Sequence, residues 1–271
     1  GFIDFLSFED SIVFDAKIDN SQVDLSEAAL FAYVLDGMND IVRLKTEITK
    51  KVKNLKLSNF DLKIKENTRI KGTLNLPDRR SPESAFFHEN LDYVKIDLAE
   101  LKTIRLPNSA SQPYVTITDQ ISRLGYFEAE DTRLDGFYSQ FVVVSDIIKT
   151  KLGAVRMDNG IMFTQNKKNK SYLFQKSEAS EYDVKVEQFN LGAFLNDDNL
   201  GVVDGKVFLS GEAFSVDDII FTSISGRVNR LDYLGYPYEN ITIIEGTFAD
   251  KKFIGKIDVK DDNLDMTYDG L

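Results

Sequence analysis

The chain has 271 residues, 42% hydrophobic and 28% charged, with a formal net charge of -11. That balance excludes a disordered chain, and without an apolar run of about 18 residues there is no transmembrane helix to read. Phosphate binding needs clustered Lys and Arg, so nucleic acid and anionic membrane surfaces are disfavoured; zero Cys and the single His88 remove disulfide partners, thiolate metal sites and His-rich ones.

Phe2 to Ile18 reads as strand, with Ile12, Phe14, Ala16 and Ile18 on one face against Asp15, Lys17 and Asp19. Asn20-Ser21 is expected to end it. Ser26 to about Leu35 is the best helix candidate, because Ser26 can cap the first turn, Leu30, Phe31 and Val34 share a face, and Gly37 supplies a stop. Strands return from Ile41. Leu55 and Leu57 alternate with Lys56 and Ser58, but after Asn59 the apolar parity passes to Phe60, Leu62 and Ile64, which predicts a bulge between the two runs. Lys45, Lys50, Lys51, Lys53 and Lys56 make this stretch locally basic, but most of them sit opposite apolar neighbours and read as a solvated strand face.

Glu66-Asn67-Thr68 is a turn into the alternating Ile70, Gly72, Leu74 and Leu76. Pro77 to Asn90, with its Phe86-Phe87-His88 cluster, reads as a loop or short cap, and Pro107 to Pro113 as a second loop. Val94, Ile96 and Leu98 suit a strand, while Asp97 to Leu101 suits a helical turn equally well. Phe141 to Val144 resembles a strand buried on both faces, Asp158-Asn159-Gly160 a hairpin turn, and Asn166 to Lys170 another polar turn. Tyr182, Val184 and Val186 resume the pattern, and Phe189, Leu191 and Ala193 carry it to Asn196-Asp197-Asp198-Asn199. Val207, Leu209 and Gly211 lead into Ile220, Thr222, Ile224 and Gly226.

The clearest β pattern is at the end. Ile241 and Ile243 alternate, Ala249 to Lys252 turns, Phe253, Gly255, Ile257 and Val259 oppose Lys256, Asp258 and Lys260, and Asp261-Asp262-Asn263 turns into Leu264, Met266 and Tyr268. Gly270-Leu271 stands in the pattern where Gly1-Phe2 does, so the sequence is expected to be a slice of a longer array. With turns about every 8 to 12 residues the chain is an all-β array. Its apolar face must be covered by folding as a sandwich or barrel, or by curling into a trough that meets an apolar ligand.

Several runs resemble the Bacteroidetes branch of the TamB proteins, relatives of the AsmA-like and bridge-like lipid-transfer proteins. They are Leu231-Asp232-Tyr233-Leu234-Gly235-Tyr236-Pro237-Tyr238-Glu239-Asn240-Ile241, then Gly246-Thr247-Phe248, Phe253-Ile254-Gly255 and Asp262-Asn263-Leu264. Val52-Lys53-Asn54-Leu55, Asn67-Thr68, Ile70-Lys71-Gly72, Leu124-Gly125, Asp135-Gly136 and Leu191-Gly192 follow the family's order. The resemblance covers most of the chain and implies an elongated curved sheet (a β-taco, or repeating β-groove) with an apolar trough and, here, one short helix. Residues 1–271 would be one continuous segment of a longer rod in the periplasm, part of a protein anchored in the inner membrane and meeting a TamA-like outer-membrane barrel.

Among individual residues, Asp197-Asp198, Asp217-Asp218 and Asp261-Asp262 read as turn chemistry rather than catalytic pairs, and no closed calcium loop accompanies them. His88 reads as a loop residue, Asn169-Lys170-Ser171 and Asn240-Ile241-Thr242 as chance glycosylation triplets, and the scattered glycines as turns and sheet curvature. No cofactor is implied. Periodicity alone does not say whether an apolar face meets protein or acyl chain. The resemblance points to acyl chain, with Leu55, Leu57, Leu62, Ile64, Val184, Val186, Ile241, Ile243, Phe253, Ile257, Val259, Leu264 and Met266 as lipid-groove candidates. The expected function is therefore non-enzymatic shielding of phospholipid acyl chains between the two membranes, in support of outer-membrane assembly. The rivals are a scaffold for barrel-protein insertion by strand augmentation and, behind it, a β-solenoid carbohydrate-active enzyme.

Overall fold

The computed structural model describes residues 13–28, 37–51, 55–76, 86–105, 114, 117–137, 139–157, 159–165, 172–176, 184–213, 220–249 and 252–270. By its internal contacts the chain forms two compact units, Gly1–Thr116 with Glu128–Tyr138 and Ile117–Phe127 with Ser139–Leu271. Both are built from antiparallel strands, so the chain is all-β as its alternation predicts. Four short helices occur among the described residues instead of one.

The first unit holds β1 (Val13–Asp24), α1 (Leu25–Ala28), β2 (Ile41–Lys51), β3 (Leu55–Ile64), β4 (Thr68–Leu76), β5 (Phe86–Asp97), α2 (Leu98–Leu101) and most of β6 (Tyr126–Phe137). From β1 to β5 each strand pairs with the next in an antiparallel meander. Asp24, not Ser26, opens α1: its carboxylate accepts the Ser26 N–H at 2.8 Å. Residues 29–35, where the expected helix continues, lie outside the described residues, as do 77–85 of the first expected loop and all of the second, 107–113. Asp97 ends β5 and caps α2 by accepting the Ala99 and Glu100 N–H groups, so strand and helical turn share that residue.

Asn20-Ser21 does not end β1. Asn20 takes φ 51° and the register slips between Ile18 and Ser21 while pairing continues to Asp24. Asn59, at φ 50°, marks the slip in β3 that the parity change predicts. Further slips fall between Lys45 and Glu47 in β2 and between Lys71 and Thr73 in β4. The register sets these bulges side by side, with Ile18 opposite Thr46, Glu47 opposite Ser58 and Phe60 opposite Gly72. A bulge bends its own strand, and bulges aligned across neighbours bend the sheet along one seam. Thr46, only 1% exposed, closes the seam by donating to the Ser58 carbonyl at 3.1 Å. Gly72 has φ +147°, and a Cβ there would lie 2.2 Å from the Asn90 carbonyl oxygen.

Phe86 to Asn90 is strand rather than loop. Asn90 pairs with Thr73, and the Glu89 carboxylate accepts the Asn75 N–H at 2.7 Å, which draws these residues into the ladder.

The second unit holds α3 (Asp119–Ser122), β7 (Gln140–Val144), β8 (Ile147–Thr150), β9 (Gly153–Met157), β10 (Ile161–Gln165), β11 (Tyr172–Lys176), β12 (Val184–Asn190) and α4 (Leu191–Leu195). It continues through β13 (Leu200–Ala213), β14 (Ile220–Tyr233), β15 (Tyr236–Ala249), β16 (Lys252–Asp261) and β17 (Leu264–Gly270). β11 and β12 share one edge of the long strand β13. β10 pairs with β11 and β9 with β12, while β7 pairs with β10 and β8 with β9. Each short pair thus continues one line of strand in one direction, and the expected hairpin turn at Asp158-Asn159-Gly160 reverses nothing. Asp158 itself lies outside the described residues, as does the expected turn at 166–170.

Leu191 to Leu195 corrects the strand reading of Phe189, Leu191 and Ala193: it is a helix. Asn190 caps it by accepting the Ala193 N–H at 2.8 Å, and Asn196 ends it at φ 58°. Beyond β13 the hairpins run as expected, with Asp261 opposite Leu264 around Asp262-Asn263. Phe141 to Val144 is half-buried on both parities. No described helix is long and apolar enough to cross a membrane.

Candidate functional site

The register of the second unit aligns apolar residues of successive strands into rows that run across the sheet. One row passes from Ile148 on β8 through Val155, Val186 and Gly205. It continues through Val228, Ile241 and Val259 to Met266 on β17. At about 4.8 Å between strands the row is about 34 Å long. A parallel row links Met157, Val184, Val207, Gly226, Ile243, Ile257 and Tyr268. Val228, Ile241 and Val259 of the first row and Val184 and Val207 of the second form a buried cluster, and Val186, Ile243, Ile257 and Leu264 pack half-buried against it.

Seven of the candidates fall in or against this cluster: Val184, Val186, Ile241, Ile243, Ile257, Val259 and Leu264. Met266 closes the first row at the β17 end, 36% exposed, and Phe253 is half-buried nearer the far end of β16. The opposite face of β16 and β17 is mostly polar, as the alternation predicts, with Ile254 exposed on it. Thr267 donates to Asp258 at 2.6 Å, Lys256 lies 4.0 Å from Asp269, and Lys260 pairs with Asp265.

The other four candidates lie in the first unit, where similar rows form. Leu44, Leu62, Ile70 and Val94 align on β2 to β5, Ile48, Leu57 and Leu74 on β2 to β4, and Ile64 stands opposite the buried Val42. Leu55 sits opposite Leu76 in the register. The reverse face is charged and solvated: Arg69 makes a bidentate pair with Asp61 at 2.8 and 2.6 Å, and Lys63 meets Glu66 and Lys95 meets Glu128, each at 3.1 Å. The Arg69 hydrogen bonds hold the Asp61 carboxyl below its ordinary range.

In the second unit a cavity of about 540 Å³ is lined by Leu195 to Leu200 and by Phe248 and Phe253. Leu200 begins β13, whereas Phe248 stands opposite Phe221, whose partner on β13 is Gly211, eleven residues from Leu200 (211 − 200). A straight strand would separate those levels by about 36 Å. One cavity bounded by both ends requires the sheet of this unit to curl, and Phe248 and Phe253 stand on its apolar face.

Reaction chemistry finds less support. Asp261 accepts the Asn263 and Glu239 N–H groups, both at 2.9 Å, which hold its carboxyl low, and Asp197 accepts the Asn199 N–H at 2.9 Å. Both do turn work. Asp217-Asp218 lies outside the described residues. His88 is a strand residue of β5 whose Nδ1 meets the Asp135 carboxylate, itself 2.5 Å from Arg133 Nε. No group of three or more His, Cys, Asp or Glu among the described residues is placed to hold a metal ion.

Glu89 differs from these carboxylates in being only 8% exposed. Burial pushes its carboxyl up, against the pull of the Asn75 N–H. A folded-state pKa above the unfolded one favours folding fully below about pH 4 and loses that contribution as pH rises through the folded value. Glu89→Gln, which keeps an acceptor for Asn75, is therefore expected to raise the urea midpoint at pH 7 and to leave it unchanged at pH 4.

Missing from the candidates are Val207, Val228, Val155, Leu231 and Tyr238, which belong to the cluster or pack on it. For Val228 the signal was present, since Ile224, Gly226 and Val228 continue one parity. Val207 carried it too, in the alternation of Val207, Leu209 and Gly211, whereas Val155, Leu231 and Tyr238 depend on how the strands pair. Comparison of the chain with family models, with curated proteins and with solved structures gives no match.

Proposed function

We propose that the chain is a non-enzymatic conduit segment of the TamB type, which shields phospholipid acyl chains in the periplasm while headgroups stay in water. It would act within a protein anchored in the inner membrane and paired with a TamA-like outer-membrane barrel. The observation that carries this reading is the apolar row from Ile148 to Met266, which crosses eight strands of a unit curled toward that face. Each acyl CH₂ exposed to water costs about 0.8 kcal/mol, so two bare chains meet a barrier far beyond thermal energy. A groove that keeps them covered removes it without a reaction.

Lipid extraction and native mass spectrometry of the purified chain test the proposal. Co-purifying phospholipid is expected, and its absence from chain purified without detergent would overturn the reading. The second reading, strand augmentation of outer-membrane barrel proteins, draws on the exposure of Met266 and Tyr268 on β17. Binding of unfolded barrel peptides by lipid-free protein would favour it.

A further inference from the structure

The cavity in the second unit has two unlike walls. One, the turn from Leu195 to Leu200, is tied to its own side: the Asp197 N–H donates to the Gly192 carbonyl at 3.0 Å, the Leu234 N–H to Asn199 at 2.7 Å, and Arg123 Nη1 to the Phe194 carbonyl at 2.8 Å. The other wall is aromatic. Phe248 is held by Phe221, ring centroids 6.4 Å apart, whereas Phe253 lies over glycine. A Cβ added to Gly246 would stand 2.3 Å from the Phe253 ring, and one on Gly255 3.0 Å from it. Gly246 and Gly255 are direct partners in the ladder, beside the Phe248 and Phe253 pair. No hydrogen bond or ion pair joins the two walls among the described residues.

We propose that this cavity seats one linear hydrocarbon chain of a lipid, and that Phe253 is the movable ring a chain displaces to enter it. The inference rests on the conduit reading. The volume suits a single ligand, since small-molecule sites span about 300–1,000 Å³. Leu195, Leu200, Phe248 and Phe253 supply apolar wall, and the polar turn beside them faces water and leaves room for a headgroup. Swinging Phe253 off the two glycines breaks no hydrogen bond, because a phenylalanine ring carries no donor or acceptor group and no hydrogen bond or ion pair joins the two walls among the described residues.

The test uses the full chain, a phospholipid with a photoactivatable diazirine on one acyl chain, and mapping of the labelled peptides. Wild type is expected to label at Leu195 to Leu200 and at Phe248 to Phe253. In Gly246→Ala the new methyl takes the place of the Phe253 ring and drives it into the cavity, so labelling there should fall about tenfold, the equivalent of a couple of methylenes left unburied. Gly246→Ala with Phe253→Ala should restore it. Label confined to peptides around Ile257 and Leu264 would overturn the cavity and leave the conduit standing; no label anywhere would remove both. Unchanged labelling in Gly246→Ala would overturn the role of Phe253. If Gly246→Ala does not fold, Phe253→Ala alone decides: faster labelling at the cavity supports the movable ring, and an equal or slower rate overturns it.

Discussion

Ile241→Asp is expected to unfold the second unit, while Ile257→Asp leaves it folded and strips its lipid. Ile241 is 6% exposed and lies at the centre of the buried cluster, between Val228 and Val259 in the register. A carboxylate there has no partner and no path to water, so the cost should be about 4 kcal/mol or more. Ile257 shares its face but is half-buried, opposite Ile243 and Tyr268. In a groove open to solvent its carboxylate reaches water, and the charge then stands where acyl chains would lie. Circular dichroism and urea titration read the fold, and lipid extraction reads the cargo. Lys256→Asp, on the wet face, should change stability by no more than about 0.5 kcal/mol and leave lipid content unaltered. Normal lipid in a folded Ile257→Asp protein would remove acyl chains from this face.

Gly226→Ala should cost about 3 to 5 kcal/mol, from a forbidden backbone conformation and an unrelieved clash together. Gly226 has φ +141°, and a Cβ there would stand 2.4 Å from the Lys206 carbonyl oxygen and 2.8 Å from the Val207 Cα. Both neighbours are backbone, so neither moves without breaking the ladder between β13 and β14. Urea unfolding at matched pH checks the value, and a midpoint within error of wild type would show that the two strands do not approach as closely as the register requires. Gly72→Ala should act in the same way in the first unit, against Asn90 and Leu91.

Local chemistry carried much of this fold. The hairpin at Asp262-Asn263, the turn before Thr68 and the bulge at Asn59 are all legible, because each leaves a mark within a few residues: a polar pair between alternating runs, or a flip of parity. Asn20 and the residues around Asn159 defeat the same reasoning for one physical reason. A polar residue that tolerates left-handed dihedrals suits a bulge within a strand as well as a turn between strands, and only the partner strand decides which it becomes. Leu191 to Leu195 was hidden because Phe189, Leu191 and Ala193 mimic alternation, while the buried Phe194 and Leu195 are adjacent in sequence and fit a helical turn. Of the site, the parity that puts Ile257 and Val259 together is local. Its extension to Val155, and the meeting of Leu200 with Phe253 around one cavity, are settled by the register and curl accumulated across several strands.

Within either unit the lines of strand pair in the order in which they follow along the chain, β1 and β17 each with one neighbour. Extent in such a molecule is an adjustable quantity. A hairpin can be spliced in or cut out and its neighbours re-joined, provided the new pair carries its own bulge at the shared height and its own apolar parity. Contacts stay short-range in sequence however many hairpins are added, so a longer version gains reach without the folding delay that distant strand pairings impose. Within either unit the span across the strands is therefore set by how many hairpins that unit contains.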